Sequence, residues 1–177
     1  MDKMKLATAW LGGCSGCHMS FMDLDERLLE LHEKADLVFS PVLDIKEFPH
    51  GVDATLVEGA VANEDNRELL LKIRERSKLV IAFGDCAANG NVTAMRNGLD
   101  RDALLHEVYG EIGREMGRLR FTVLPLLQER VEPIHHVVHV DYFLPGCPPH
   151  ADLIWFVITE MLAGREPVLT EDMLKYG

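Results

Sequence analysis

The stretch Leu79-Val-Ile-Ala-Phe-Gly-Asp-Cys-Ala-Ala-Asn-Gly90, LVIAFGDCAANG, carries the pattern that decides the fold. Its apolar run stops at Gly84. A run this short, bounded by a glycine, predicts a buried strand. Cys86 follows at once, inside a glycine-rich turn. The arrangement recurs twice. Lys5–Leu11 (KLATAWL) is a short apolar strand that ends at Gly12 and Gly13 and leads into Cys14 and Cys17. His139–Leu144 (HVDYFL) is a strand that leads into PGCPP and Cys147.

Helical patterns lie between the strands. Residues 19–34 place Met19, Met22, Leu24, Leu28, Leu29 and Leu31 near a 3.6-residue period, which predicts one helix. Leu37–Ser40 reads as a strand stopped by Pro41, 44–51 as a loop, and Asp53–Val61 as a strand and its exit. Asn63 suits the N-cap of a helix running to about Arg76, with Glu64 and Asp65 in its first turn. Residues 100–116 read as helix, and 121–134, with Pro125 and Pro133, give no clear pattern. A last helix covers 149–163, with Pro149 at its first position and Gly164 at its end. Strands alternating with helices predict a parallel sheet covered on both faces. For 177 residues the expected architecture is one α/β domain, residues 1–177, with a flavodoxin-like doubly wound sheet. Ligands in such sheets sit beyond the carboxyl ends of the strands. All four cysteines, Cys14, Cys17, Cys86 and Cys147, follow strand ends. They are therefore expected on one rim, in one crevice.

The formal charge of −11, from 29 acidic and 18 basic residues, argues against nucleic acid and anionic membrane surfaces as partners. The N-terminus has no long apolar region and no twin arginine, and no stretch approaches a membrane-spanning length. A cytoplasmic location is expected, where structural disulfides are rare.

C-x-x-C-H in CSGCH has several readings. A haem c attachment site or a thioredoxin-like dithiol would leave Cys86 and Cys147 idle. Structural zinc favours two C-x-x-C knuckles close in sequence, and this chain has a pair and two distant singles. Iron–sulfur clusters take four thiolates, and glycine-rich turns let backbone N–H groups approach an anionic cluster. A [4Fe–4S] cluster fits this setting best, with [2Fe–2S] and zinc left open. His18 is then expected to open the following helix and hydrogen-bond locally.

CSGCHMSFMDLDE, LVEGAV, FGDCAANGNV and VDYFLPGCPPHAD, in that order, resemble the small subunit of [NiFe] hydrogenases, in particular the short cytoplasmic form in NAD-reducing enzymes. The resemblance runs from Lys5 to about Pro167. It implies a flavodoxin-like fold with one [4Fe–4S] cluster on Cys14, Cys17, Cys86 and Cys147, close to a Ni–Fe centre held by a separate large subunit. It also implies diaphorase subunits carrying FMN, iron–sulfur clusters and the NAD site. Electrons from H2 would leave the large subunit through this cluster. Periplasmic relatives carry a twin-arginine leader and a domain with further clusters, and the sequence resembles the form without them. The related complex I subunit shares several elements but starts with adjacent cysteines, whereas Ser15 and Gly16 separate the pair here. Small subunits of hydrogenases linked to coenzyme F420 or ferredoxin are related as well.

Glu58, in LVEGAV, ends a strand on the expected rim, where the family has a glutamate. It is a candidate to contact a cysteine loop, tune the cluster, move protons or touch a partner. The alternative is a hydrogen-bonded strand end. Asp85 is a weaker candidate of the same kind. His135, His136 and His139 are poorly spaced for a shared metal and fit a surface or interface, as does His150; Asp44 and Lys46 fit ordinary surface charges. Neither a Walker A sequence nor G-x-G-x-x-G occurs, so NAD is expected to bind elsewhere in a complex. FMN is not expected on a rim filled by cysteines.

Overall fold

The computed structural model describes residues 3–110 and 125–174. Its strands are β1 (Met4–Trp10), β2 (Ala35–Phe39), β3 (Val52–Glu58), β4 (Val61–Asn63), β5 (Ser77–Phe83), β6 (Leu127–Glu132) and β7 (Tyr142–Leu144). The helices are α1 (Gly16–Met22), α2 (Arg27–Lys34), α3 (Glu64–Arg76), α4 (Asp85–Asn89), α5 (Arg101–Tyr109) and α6 (Ala151–Leu162). A 3-10 segment, Asn91–Gly98, follows α4. Five strands form one sheet in the order β2-β1-β3-β5-β7, with every neighbouring pair parallel. This is the doubly wound order expected of a flavodoxin-like fold, with the switch point between β1 and β3. β4 and β6 pair antiparallel beside it.

Side chains alternate between two cores, as the period of a strand requires. Leu6, Leu56, Ile81 and Phe83 pack with Phe21, Leu31, Ile154 and Ile158 from α1, α2 and α6. Ala7, Val57, Val80 and Ala82 face the other way, against Leu70 and Ile73 of α3 and Ala87 of α4. Each strand is apolar on both sides because both sides are covered.

The expected helix over 19–34 is two helices. The chain leaves α1 through tight turns at Leu24 and Asp25, and Asp25 takes a left-handed backbone (φ +49). That turn brings Leu24 into the core. Asn63 caps α3 as expected, accepting from the Asn66 N–H at 2.8 Å. The strand predicted over Asp53–Val61 ends at Glu58 and resumes as β4 after Gly59. The helix predicted over 100–116 is present as α5, and its remainder lies outside the described residues. The last helix starts at Ala151, with His150 rather than Pro149 at its entry, and Gly164 follows its end in a left-handed turn (φ +68). No described helix is long and apolar enough to cross a membrane.

The strand expected from His139 begins at Tyr142, because Arg74 uses the residues before it. From the last turn of α3, Arg74 donates to the Asp141 carboxylate at 2.6 Å and to the carbonyls of His139, Ser77 and Lys78. Asp141 also accepts from the Val80 N–H at 2.7 Å. Burial alone would raise the Asp141 carboxyl; the Val80 N–H and the Arg74 guanidinium outweigh it and hold it below the usual carboxylate range. A depressed folded-state pKa gives stability that is present at neutral pH and lost as pH falls through the folded value. Asp141→Ala should lower the unfolding free energy at pH 7 by about 2 kcal/mol. Urea titrations should show the gap between wild type and variant closing below about pH 4.

Candidate metal centre

Beyond Trp10 the chain stays zipped to the exit of β3. Leu11 N–H donates to the Glu58 carbonyl at 2.8 Å, and Gly12 and Ala60 exchange two bonds of 2.9 and 2.8 Å. Gly59 makes this possible. At its φ of +87 a Cβ would lie 2.8 Å from the Gly12 carbonyl oxygen. The Cys14 loop is thereby fastened beside Glu58. Ser15 turns it through a left-handed conformation into α1, which carries Cys17 into the apolar core. The Gly16 N–H points at Cys14 Sγ from 3.4 Å.

The turns after β5 and β7 are bound to each other in the same manner. Gly84 N–H donates to the Leu144 carbonyl, and Asp85 N–H to the Gly146 carbonyl; Gly146 N–H donates to the Asp85 carboxyl at 2.8 Å. Asp85 is thus a clamp between the Cys86 and Cys147 turns. Gly84 is where the three cysteine-bearing loops meet. A Cβ there would stand 2.2 Å from Cys17 Sγ and 3.3 Å from the Gly146 carbonyl oxygen, and its φ is +83. No side chain fits such a place.

All four cysteines are free thiols. They lie close enough to influence one another. Burial first, then Glu58, then Cys86, Cys14 and Cys147, push the Cys17 thiol well above its ordinary value. Burial also raises Cys86, helped by Cys147 and Cys14 and opposed by hydrogen bonds from Thr93. Thiols gathered in this way resist ionising unless a bound cation compensates, which is the charge logic of a metal site.

Glu58 lies beneath this group and is 2% exposed. Its carboxyl oxygens accept from the backbone N–H of Cys17 at 3.4 Å and of His18 at 3.0 Å, and one of them meets His18 Nδ1. His18 is not the local neighbour the sequence suggested. It is 7% exposed, stacks edge-on near Phe83, and pairs with a residue 40 positions away. Its Nε2 is buried without a partner.

The sequence reading missed α4 and the 3-10 segment, and with them Asn91, whose side-chain Nδ2 lies 3.3 Å from Cys147 Sγ. The short polar run after Cys86 has too few apolar residues to show a helical period. The signal that could have found Asn91 is an asparagine directly after a glycine, a pair that suits a left-handed turn, and both residues have positive φ. His136 and His139 are exposed, and Asp44 and Lys46 form an exposed ion pair. Among the described residues, no three His, Cys, Asp or Glu side chains are disposed to grip a single ion.

A flavodoxin-like sheet with a thiol-lined carboxyl rim defines the class. The chain belongs to the family described as NADH ubiquinone oxidoreductase, 20 Kd subunit, whose model matches residues 14–161. It is 42% identical over 171 residues, 93% of its length, to a subunit of the F420-non-reducing hydrogenase of Methanothermobacter marburgensis, of which it covers 55%. It is 40% identical over 179 residues, 98% of its length, to the NAD-reducing hydrogenase HoxS subunit delta of Cupriavidus necator, of which it covers 86%. A chain of an NAD+-reducing [NiFe]-hydrogenase in its H2-reduced state superposes with a TM-score of 0.90 at 43% identity, covering 99% of this chain and 100% of that one. The chain spans just over half the length of the F420-non-reducing hydrogenase subunits it matches.

Two substitutions probe this geometry. Gly84→Ala should abolish uptake of iron and sulfide, read by elemental analysis of the purified protein. Gly51→Ala, at a φ of +70 but with nothing within 4 Å of the new Cβ, should retain it, so that crowding at the sulfur and not backbone strain is what is measured. Glu58→Ala strands two N–H groups and the His18 ring, and should cost about 3 kcal/mol in denaturant titrations.

Proposed function

We propose that this chain is the electron-transfer small subunit of an NAD-reducing [NiFe] hydrogenase: one cytoplasmic domain, residues 1–177, holding one [4Fe–4S] cluster through Cys14, Cys17, Cys86 and Cys147. The observation that carries the reading is the meeting of three loops at Gly84, which gathers four free thiols, from Cys14 to Cys147, onto one rim. When bound, the cluster supplies a one-electron relay between the Ni–Fe centre of a large subunit and diaphorase subunits that carry FMN, further iron–sulfur clusters and the NAD site.

The residues present suit that group better than a single zinc ion. Four thiolates on one zinc all lie about 2.3 Å from one point. Here no three candidate ligands among the described residues share such a point, whereas a polynuclear cluster offers each sulfur its own metal at a separate corner. Glycines at 16 and 84 leave room beside Cys14 and Cys17. Cys17 and Phe83 close the inner side with apolar surface and exclude water. Trp10, Met19, Val92 and Met95, near the cysteine loops in sequence, are exposed apolar side chains that suit coverage by partner subunits. Similarity to the HoxS subunit delta over most of its length supports the NAD-reducing assignment over the F420-linked ones.

A second reading, a cluster subunit of a complex I-like quinone reductase, draws on the description of the matching family. The Ser15–Gly16 spacer between the first two cysteines favours the hydrogenase. Purification through a tag on this chain separates the readings. A copurifying Ni–Fe subunit and flavin diaphorase, with about four iron per chain beyond those of the partners, support the proposal; a membrane arm without nickel overturns it. In the complex, Cys86→Ser should reduce H2-dependent NAD+ reduction at least 100-fold, roughly the loss expected when a relay is broken. NADH oxidation by an artificial acceptor should persist.

A further inference from the structure

Asn91 opens the 3-10 segment after α4, and several constraints fix where its side chain goes. Its backbone is left-handed (φ +35), a conformation that asparagine tolerates better than most residues. Its N–H donates to Asn89 Oδ1 at 2.9 Å. From that anchored position Nδ2 reaches 3.3 Å from Cys147 Sγ, across 56 residues of chain.

An amide N–H aimed at a cluster sulfur stabilises the state with more negative charge, which is the reduced one, and so raises the reduction potential. The other donors near the sulfurs are less open to substitution. The Gly16 N–H at Cys14 belongs to the backbone. The Thr93 hydroxyl has one proton and lies 2.5 Å from the Gly90 carbonyl oxygen. Asn91 is the side chain whose amide donates to a cysteine sulfur with no competing acceptor for that bond among the described residues.

Resting on the cluster reading above, the geometry points to Asn91 as the residue that raises the potential of this cluster, by donating a hydrogen bond to Cys147 Sγ. It does not bind the metal; it acts through the ligand. It makes the cluster a better electron acceptor on the side of the Cys147 turn.

The test is an EPR-monitored redox titration with dithionite, on the complex purified through a tag on this chain. Asn91→Gly keeps the left-handed backbone and removes the donor. Asn91→Asp keeps the shape and replaces the donor with a carboxylate. Asn91→Gly should make reduction about threefold less favourable, close to 30 mV at 59 mV per tenfold change, and Asn91→Asp about tenfold or more. Both should keep the iron and sulfide content of the wild type. Unchanged potentials in both variants overturn the assignment, and so does a change confined to Asn91→Asp, which would report charge and not the hydrogen bond. Loss of the cluster from both variants also overturns it, because a residue that tunes a bound cluster is not needed to hold it. A wild-type chain without iron and sulfide overturns the cluster reading itself, an outcome distinct from all of these.

Discussion

The close approach of Gly84 to the Cys17 sulfur is the constraint on which the rest of the site depends. It requires three things at once. β5 must end beside β7, so that Gly84 and Leu144 pair and the Cys86 and Cys147 turns share Asp85. α1 must descend from the β1 loop into the core, so that Cys17 faces inward. The residue between them must lack a side chain, because a Cβ would stand 2.2 Å from the sulfur. The sheet order supplies the first two, since connections on both faces leave every strand's carboxyl end on the same rim. Glycine supplies the third.

The same order explains why a carboxyl and not a cysteine lies in the middle of the rim. β3 runs between β1 and β5, so its exit lies between the Cys14–Cys17 loop and the Cys86 turn. Glu58 occupies that exit. Buried carboxyls are costly unless their oxygens are satisfied, and here they are: two backbone N–H groups at the start of α1 and the His18 ring converge on them. The interaction also serves the loop. The first N–H groups of a helix lack partners within it, and no side chain from its own N-cap residue supplies one. Glu58 takes that part from another strand, and so ties the orientation of Cys17 to β3.

Much of this is legible in the sequence, because it rests on short-range signals. An apolar run stopped by glycine predicts β1 and β5, and their placement before cysteines puts the thiols on one rim. Asn63 announces α3 with a cap that is local by nature. Three features are not legible, each for a reason of range. The break between α1 and α2 leaves the apolar spacing of 19–34 intact, so periodicity reads through it. The shortened β7 reflects Arg74 drawing on His139 and Asp141 from α3, 65 and 67 residues away. His18 sits beside the C-x-x-C pair and invites a local role, while its partner is set by a strand 40 residues on. Sequence spacing reports what neighbours along the chain can do; these three depend on what the sheet brings together.

The electrostatics of the rim come from that assembly. Burial, Glu58 and the other thiols all oppose ionisation of Cys17, while donors gather at the opposite edge, where Asn91 meets Cys147 and Thr93 meets Cys86. A negative or acceptor-rich floor at β1 and β3, and a donor-rich wall at the turns after β5 and β7, place a gradient across a site only a few residues wide. Charge added to a group bound there would be stabilised on the wall side and opposed on the floor side. Two loops of nearly identical composition, glycine-rich and cysteine-bearing, thus give unlike surroundings to chemically identical ligands. The difference lies in the element on the far side of each loop: a helix that buries Cys17 over Glu58 in one case, and a left-handed asparagine that turns its amide toward Cys147 in the other.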